Sequence, residues 1–303
     1  MEQIYSSLMK SLSDGKFVFT GEIEPRKTTS LNEIIETAKV LKKYVVAANL
    51  TDNPAGMAFM NSLVPSYIIQ KEVGLEAVYQ ITCRDRNRIA IFSDLLAAGA
   101  LGIKNVLAIT GDHPALGDNP QAKPVFDLDS QQLVYMIRKM VDEGVDLTGH
   151  KIENPPKFHV GVAASPAVKP LEPEIIKLER KAELGAEFVQ TQIVYDIEVA
   201  KKFLADTKHI KIPIIIGVCP LKSVGMAEWM SKNLPGVMIP SELIDRLKKA
   251  EEKGKDAIMQ ENIAIFREFI KELKNTRASG AHLMAVHYPM TELNFLLNGI
   301  LSV

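Results

Sequence analysis

The chain has 303 residues, of which 47% are hydrophobic and 24% charged, so it can bury a core as large as one big domain or two ordinary ones. Its 36 basic and 37 acidic residues give a net charge of -1, which excludes a general attraction to nucleic acid or anionic membranes. No signal-peptide pattern and no apolar run of the ~20 residues that cross a bilayer occur, and two cysteines are too few for a disulfide framework or a zinc site. We therefore expect a cytoplasmic protein that binds no nucleic acid, membrane or metal.

Short apolar runs rich in β-branched residues alternate with longer amphipathic stretches, which is typical of parallel strands alternating with helices. Eight strands are predicted, at residues 17–23, 44–50, 75–82, 103–110, 158–164, 187–194, 212–218 and 281–287. Eight strands, each followed by a helix, predict an α/β fold of the (β/α)8 TIM-barrel type, as a single catalytic domain over residues 1–303. An open doubly wound sheet is the alternative.

Two stretches depart from simple alternation. Residues 111–130 form a connection rich in Pro, Gly and Asp, and loops of that length inside compact domains are usually functional. Residues 241–275 carry enough helical pattern for about two helices, which predicts extra helices in the seventh βα unit.

The helix predicted after the third strand has one apolar face. Its apolar residues recur every three to four positions: Ile89, Phe92, Leu95 and Leu96. This spacing predicts that they pack on the sheet while Arg86 and Asp94 lie in solvent.

Polar residues concentrate at the carboxyl ends of the predicted strands, where TIM barrels carry catalytic groups. Glu22, Asp112 and Gln192 are charged or long polar groups at apolar runs, where an unpaired polar group is costly, so we predict that they are functional. Asp52, Asn53 and Asp85 are either functional or only helix caps, and His287 is either functional or a core histidine. Cys83 and Cys219 are interpreted as small buried fillers rather than nucleophiles.

Glycine-rich phosphate fingerprints are absent from the sequence, so a bound dinucleotide would not be held in the Rossmann manner. Basic residues occur at Lys169 and at Arg180 and Lys181 in a predicted helix. Taken alone, these basic residues indicate a solvated helix face.

Seven short motifs follow one another at the strand ends and in that helix: Glu22-x-x-Pro25, Thr51, Ile81-Thr82-Cys83, Gly111-Asp112-x-Pro114, Ala164-Ser165-Pro166, Arg180-Lys181 and Thr191-Gln192. Together, and over essentially the whole chain, they resemble the 5,10-methylenetetrahydrofolate reductase family in its short bacterial form without a regulatory domain. The resemblance implies a barrel flavoprotein of one-carbon metabolism. In this family FAD passes a hydride from NADH or NADPH to methylenetetrahydrofolate, giving 5-methyltetrahydrofolate for methionine biosynthesis.

The resemblance also implies roles for individual residues. Glu22 matches the general acid that helps open the five-membered ring of the substrate, Asp112 matches the acid that contacts pterin and flavin, and Gln192 matches the residue that hydrogen-bonds folate. The positions that match flavin contacts are Thr51, Gln80, Thr110, Gly111, Asp112, Ser165, Lys169, Arg180 and Lys181. The resemblance therefore assigns Arg180 and Lys181 to the phosphate or ribose side of the flavin.

Several alternatives stay open at this stage. Familiar relatives carry other residues at Gln80, Thr110, Ser165 and Lys169, so FMN is an alternative to FAD. Electrons come either from NAD(P)H or from a redox partner subunit, and a homo-oligomer with or without an accessory subunit is expected. The rival functions are a folate-binding methyltransferase barrel that passes a methyl group to a corrinoid, and a subunit that only docks folate or flavin.

Overall fold

The computed structural model describes residues 3–234 and 236–301, and eight parallel strands in it form a closed barrel. Each strand pairs with the next one along the chain, and the last pairs with the first. The strands are β1 Val18–Ile23, β2 Ala47–Leu50, β3 Glu76–Thr82, β4 Asn105–Ile109, β5 His159–Ala164, β6 Phe188–Ile193, β7 Ile214–Val218 and β8 Gly280–Leu283. The predicted (β/α)8 barrel is confirmed, and the open sheet is excluded. The assignment of residues 1–303 to one domain stays a prediction.

Helices cover the outside of the barrel and its amino end. Within the described residues they are α1 Ser7–Ser13, α2 Asn32–Leu41, α3 Leu63–Ile68, α4 Arg88–Ala100, α5 Ser130–Arg138, α6 Glu172–Glu183, α7 Ile197–Asp206, α8 Val224–Asn233, α9 Ser241–Glu251, α10 Lys255–Leu273 and α11 Met290–Leu301. Three of them, α8 to α10, lie between β7 and β8, so the extra helices predicted for the seventh unit are confirmed. None of these helices combines the length and apolarity needed to cross a bilayer.

The amino end of the barrel is filled by apolar side chains. Six strand residues form this layer inside the barrel: Val18, Ala47, Val78, Leu107, Phe188 and Ile215. Leu8, Met9 and Leu12 of α1 belong to the same buried cluster, so α1 covers this end of the barrel. Gly161 of β5 makes the layer possible, because a Cβ atom at this position would overlap the ring of Phe188.

Above the apolar layer lies a layer of four buried polar side chains, which we call the polar layer: Thr20, Asn49, Gln190 and His282. The amides of Asn49 and Gln190 exchange two hydrogen bonds of 2.7 and 3.1 Å. Gln190 Nε2 also donates to Thr20 Oγ1 over 3.1 Å, and Thr20 Oγ1 lies 2.9 Å from His282 Nδ1. The polar layer is thus connected by hydrogen bonds, which offset the cost of burying polar groups.

The prediction for the face of α4 is partly wrong. Leu95 is buried as expected, but Ile89 is 73% exposed and the other buried residues of the helix are Ile91 and Ala98. Arg86 is not in solvent, because its guanidinium turns inward to the buried carboxylate of Asp52. Asn87 then caps the helix through Ala90 N, which sets a helix phase that hydrophobic spacing alone does not reveal.

Helix α1 is held to the barrel by one carboxylate. Glu76 Oε2 accepts a hydrogen bond from Ser7 N over 2.7 Å, and Oε1 accepts from Leu8 N over 3.0 Å and from Asn105 Nδ2 over 2.8 Å. A carboxylate at a helix amino terminus satisfies unpaired N–H groups and interacts favourably with the helix dipole. Glu76 therefore joins α1, β3 and β4.

We expect Glu76→Ala to lower the free energy of unfolding by about 1–3 kcal/mol, because three donors lose their acceptor. Urea denaturation of this variant beside Glu153→Ala, an exposed glutamate, measures the difference. Limited proteolysis should also cut near α1 sooner in Glu76→Ala. Equal stability of the two variants would show that α1 is held by its apolar contacts alone.

Candidate functional site

A cavity of about 540 Å³ opens at the carboxyl end of the barrel. Six residues predicted to be functional line it: Glu22, Thr51, Gln80, Gly111, Asp112 and Gln192. They lie on or directly after β1, β2, β3, β4 and β6, so strands distant in sequence bring them together. The convergence follows from the barrel, because parallel strands place all their carboxyl ends at one mouth.

Glu22 lies directly above the polar layer, two residues after Thr20 on β1. Its side chain is 15% exposed, and Oε2 lies 3.4 Å from His282 Nε2 and 3.5 Å from Gln80 Nε2. His282 thereby connects Glu22 to Thr20 and the rest of the polar layer. A second acid, Glu24, lines the same cavity, and burial together with the negative charge of Glu22 raises the pKa of Glu24.

Asp112 is exposed in the mouth, and the backbone around it is fixed from two sides. Asp112 Oδ2 accepts a hydrogen bond from Ala55 N over 3.1 Å, and its carbonyl oxygen accepts one from Arg84 Nη1 over 3.2 Å. Gly111 has a φ of +93°, and a Cβ there would lie 3.0 Å from Thr82 Cβ and 3.1 Å from Arg84 Cβ. Glycine is therefore required for the chain to pass this close to β3 and present Asp112.

Arg84 is almost fully buried behind this loop, with a side chain 2% exposed. Its guanidinium forms a bidentate pair with Asp85, at 2.8 Å to Oδ1 and 2.7 Å to Oδ2. Asp85 also accepts a hydrogen bond from Asn53 Nδ2 over 3.2 Å. The pair therefore connects the loops that follow β2, β3 and β4.

Asp52 is not a helix cap but the centre of a buried ion pair. Its fully buried carboxylate accepts hydrogen bonds from Thr82 N and Thr82 Oγ1 over 2.8 and 3.0 Å, and from Arg86 over 2.7 and 3.1 Å. Arg86 Nε also lies 2.9 Å from Asp94 Oδ2. Asp52 thus fixes the end of β2, including Thr51, to the end of β3.

Five of the predicted flavin contacts do not line the cavity: Thr110, Ser165, Lys169, Arg180 and Lys181. Thr110 Oγ1 accepts a hydrogen bond from Ser130 N, and Ser165 N donates to Glu174 Oε1. Lys169 and Arg180 are exposed. Arg180 and Lys181 lie in the last turn of α6, and the roles of all five residues stay predictions.

Lys181 differs from the other basic residues because it is 8% exposed. Its ammonium donates to the carbonyl oxygen of Ala163 in β5 over 2.8 Å. Burial lowers the pKa of Lys181, because a charged ammonium is poorly solvated there.

Cys83 and Cys219 are buried and form no disulfide, which agrees with their interpretation as small buried fillers. Burial raises the pKa of Cys83 and of Cys219 to about 12, so both thiols are protonated at neutral pH. His287 lies on the exposed rim of the cavity and is not a core histidine. Among the described residues, no cluster of three or more His, Cys, Asp or Glu side chains could hold a metal ion.

Sequence reasoning assigned no role to three residues that the structure places in or beside the mouth. The sequence pattern could have revealed two of them, because Arg84 is a charge just after an apolar run and His282 is a polar residue inside one. Trp229 of α8 lines the cavity but had no signal, because it is one more apolar residue in an amphipathic helix.

The chain is thus a (β/α)8 barrel whose candidate site lies at the carboxyl mouth, where its acids converge. A sequence model of the family described as methylenetetrahydrofolate reductase matches residues 7–296. The chain therefore belongs to the methylenetetrahydrofolate reductase family, and the resemblance found in the sequence is confirmed.

Individual relatives agree with this assignment. Methylenetetrahydrofolate reductase 2 of Schizosaccharomyces pombe is 26% identical over 97% of this chain and 47% of its own length. The 5,10-methylenetetrahydrofolate reductase of Pectobacterium carotovorum is 24% identical over 78% of this chain and 75% of its own length. The chain spans about half the length of several of the curated relatives it matches, including those of yeast and plants.

Solved structures share the fold. An uncharacterised protein from Clostridium thermocellum, described as binding two copies of 5-methyl-5,6,7,8-tetrahydrofolic acid, superposes with a TM-score of 0.65 at 17% identity and covers 98% of both chains. At this identity the likeness concerns the fold alone.

We expect Asp52→Ala to lower the free energy of unfolding by about 3–5 kcal/mol. The substitution removes the buried carboxylate that pairs with the Arg86 guanidinium, so a buried positive charge loses its main partner. Asp127→Ala is the matched control, since Asp127 forms a similar bidentate pair with Arg88 at the exposed surface. An exposed pair contributes about 0–1 kcal/mol. Chemical denaturation of both variants checks this, and equal losses would contradict the importance assigned to burial.

Proposed function

We propose that this protein catalyses the flavin-dependent reduction of 5,10-methylenetetrahydrofolate to 5-methyltetrahydrofolate. The observation that carries the proposal is the convergence of Glu22, Asp112 and Gln192 on one cavity in a chain of this family. A fold neighbour described as binding 5-methyltetrahydrofolic acid supports a folate in such a barrel. The electrons come from NAD(P)H or from a partner protein.

Features of the mouth fit a flavin. Thr51 Oγ1 is buried without a hydrogen-bond partner among the described residues, and a ligand could satisfy this orphaned hydroxyl. Gly111 leaves room for close approach beside Asp112, and Gln80 contributes an amide from β3. When bound, the flavin supplies hydride transfer, which no side chain of the protein can perform.

The proposed roles of the acids follow from their positions. Glu22 delivers a proton to the ring nitrogen that leaves when the five-membered ring of the substrate opens, and its location deep in the mouth limits competition from water. Opening of the ring leaves a cationic iminium on the substrate. The carboxylate of Asp112, whose backbone is held by Arg84, stabilises this positive charge, and Gln192 orients the substrate by hydrogen bonds.

The purified protein should show the absorption spectrum of a bound flavin, and 5-methyltetrahydrofolate should bleach this spectrum. Extraction of the chromophore followed by chromatography distinguishes FAD from FMN. A colourless protein that takes up neither added flavin would exclude the reductase. Binding of 5-methyltetrahydrofolate by such a colourless protein would favour the methyltransferase.

Glu22→Gln should keep the flavin and accept electrons from its donor, but lose about 10²- to 10⁴-fold in the rate of folate reduction, because the amide cannot deliver the proton. Stopped-flow absorbance separates flavin reduction from flavin reoxidation by methylenetetrahydrofolate. Glu183→Gln, an exposed glutamate on α6, is the control and should leave both rates unchanged. Folate activity retained in Glu22→Gln would overturn the assignment of the general acid.

A further inference from the structure

One imidazole lies between the polar layer and the carboxylate of Glu22. β1 and β8 pair so that Thr20 is opposite His282, and Glu22, two residues after Thr20, is on the same face of β1. The His282 side chain is almost fully buried, with Nδ1 2.9 Å from Thr20 Oγ1 and Nε2 3.4 Å from Glu22 Oε2. The ring nitrogen that carries the hydrogen therefore decides whether Glu22 faces a donor or an acceptor.

The amides of the polar layer give its hydrogen bonds a direction. Gln190 Nε2 lies 3.1 Å from both Asn49 Oδ1 and Thr20 Oγ1 and donates one hydrogen to each. Gln190 Oε1 accepts the hydrogen bond that Asn49 Nδ2 returns. Thr20 is fully buried, so its own hydroxyl hydrogen needs an acceptor. The acceptor that Thr20 has among the described residues is His282 Nδ1.

We propose that His282 is a positioning residue for Glu22: its ring carries one hydrogen, on Nε2, and donates it to Glu22 Oε2. An imidazole whose Nδ1 accepts a hydrogen bond keeps its hydrogen on Nε2. Gln80 Nε2, at 3.5 Å, is a second donor to the same oxygen. Two donors at Oε2 leave Oε1 as the oxygen that carries the acidic proton of Glu22. The inference rests on the proposed function, because it specifies how the general acid is held.

This arrangement suits the release of a proton. The proton moves from Glu22 Oε1 to the ring nitrogen that leaves, and the hydrogen on His282 Nε2 stays in place. Glu22 becomes a carboxylate in this step, so the hydrogen bond from His282 becomes charge-assisted and stronger. Contacts of 3.4 and 3.5 Å are long, and hydrogen bonds of this kind tighten when the substrate binds. His282 is not among the residues that line the cavity, so it acts through Glu22.

NMR of the purified protein with isotope-labelled histidine tests the assignment without turnover. The spectra distinguish a ring protonated at Nε2 from one protonated at Nδ1, and His282→Gln identifies its signal among the six histidines. We expect the Nε2–H form in the wild type and in Thr20→Ser, which keeps the hydroxyl, and a mixture of both forms in Thr20→Val. An Nδ1–H form in the wild type would show that the amides are oriented the other way. That result, or an unchanged ring in Thr20→Val, would overturn the proposal.

Stopped-flow absorbance measures the consequence for the reaction. Thr20→Val should slow folate reduction about 3- to 10-fold, because the hydrogen bond to the Glu22 carboxylate weakens, and leave flavin reduction unchanged. Thr20→Ser should restore the rate. Thr207→Val is the matched control and should change neither rate. Thr207 is as fully buried as Thr20, but its hydroxyl donates to the carbonyl oxygen of Phe203 at the end of α7.

Two kinetic results would also contradict the proposal. Equal folate reduction in Thr20→Val and the wild type would show that Glu22 does not depend on the polar layer. Equal slowing of flavin reduction and folate reduction would indicate a general disturbance of the mouth. Failure of the proposed function is distinguishable, because the wild-type protein would then reduce no folate, whichever nitrogen of His282 carries the hydrogen.

Discussion

The mouth of the barrel depends on the hydrogen bonds of the polar layer. Asn49 and Gln190 lie on β2 and β6, which face each other across the barrel, and their paired amides fix the distance between these strands. A buried amide left without its partner would cost about 1–3 kcal/mol, so sliding of either strand is penalised. Because Glu22, Gln80 and Gln192 lie one step above this layer, their spacing is set by a pair of amides that do not themselves line the cavity.

The loops above the strands are fixed by charge rather than by apolar packing. Two arginines turn inward, Arg84 to the loop of Asp112 and Arg86 to Asp52, and both bind carboxylates through bidentate geometry. A planar guanidinium suits this role, because its donors point in fixed directions and contact two segments at once. These ion pairs fix the positions of the loops at the mouth. Apolar packing could not do so there, because the mouth is open to solvent.

The fold could be predicted from the sequence because strands buried on both faces appear as apolar runs, and β8, with its short run before His287, was found in the same way. Without the family resemblance, residues that line the cavity could be predicted only where a polar group interrupts or ends such a run, as at Glu22 and Asp112. The burial of Arg86 could not be predicted, since its partner Asp52 is 34 residues away and the ion pair forms only when β2 and β3 are neighbours. The phase of α4 was missed for a local reason, because the cap by Asn87 rather than the hydrophobic spacing sets it. The place of Trp229 in the cavity could not be predicted, because helical periodicity does not indicate what an exposed apolar residue will contact.

The covered amino end of the barrel has a consequence for the supply of protons. Apolar side chains and α1 cover that end, so among the described residues the open side of the polar layer is the one towards Glu22. A ligand that fills the mouth closes this side as well. Apart from a proton passed between Glu22 and the ligand, the hydrogens on Glu22, His282 and Thr20 then form a set separated from bulk water until the ligand leaves. Isotope exchange between this set and bulk water is therefore governed by the residence time of the ligand.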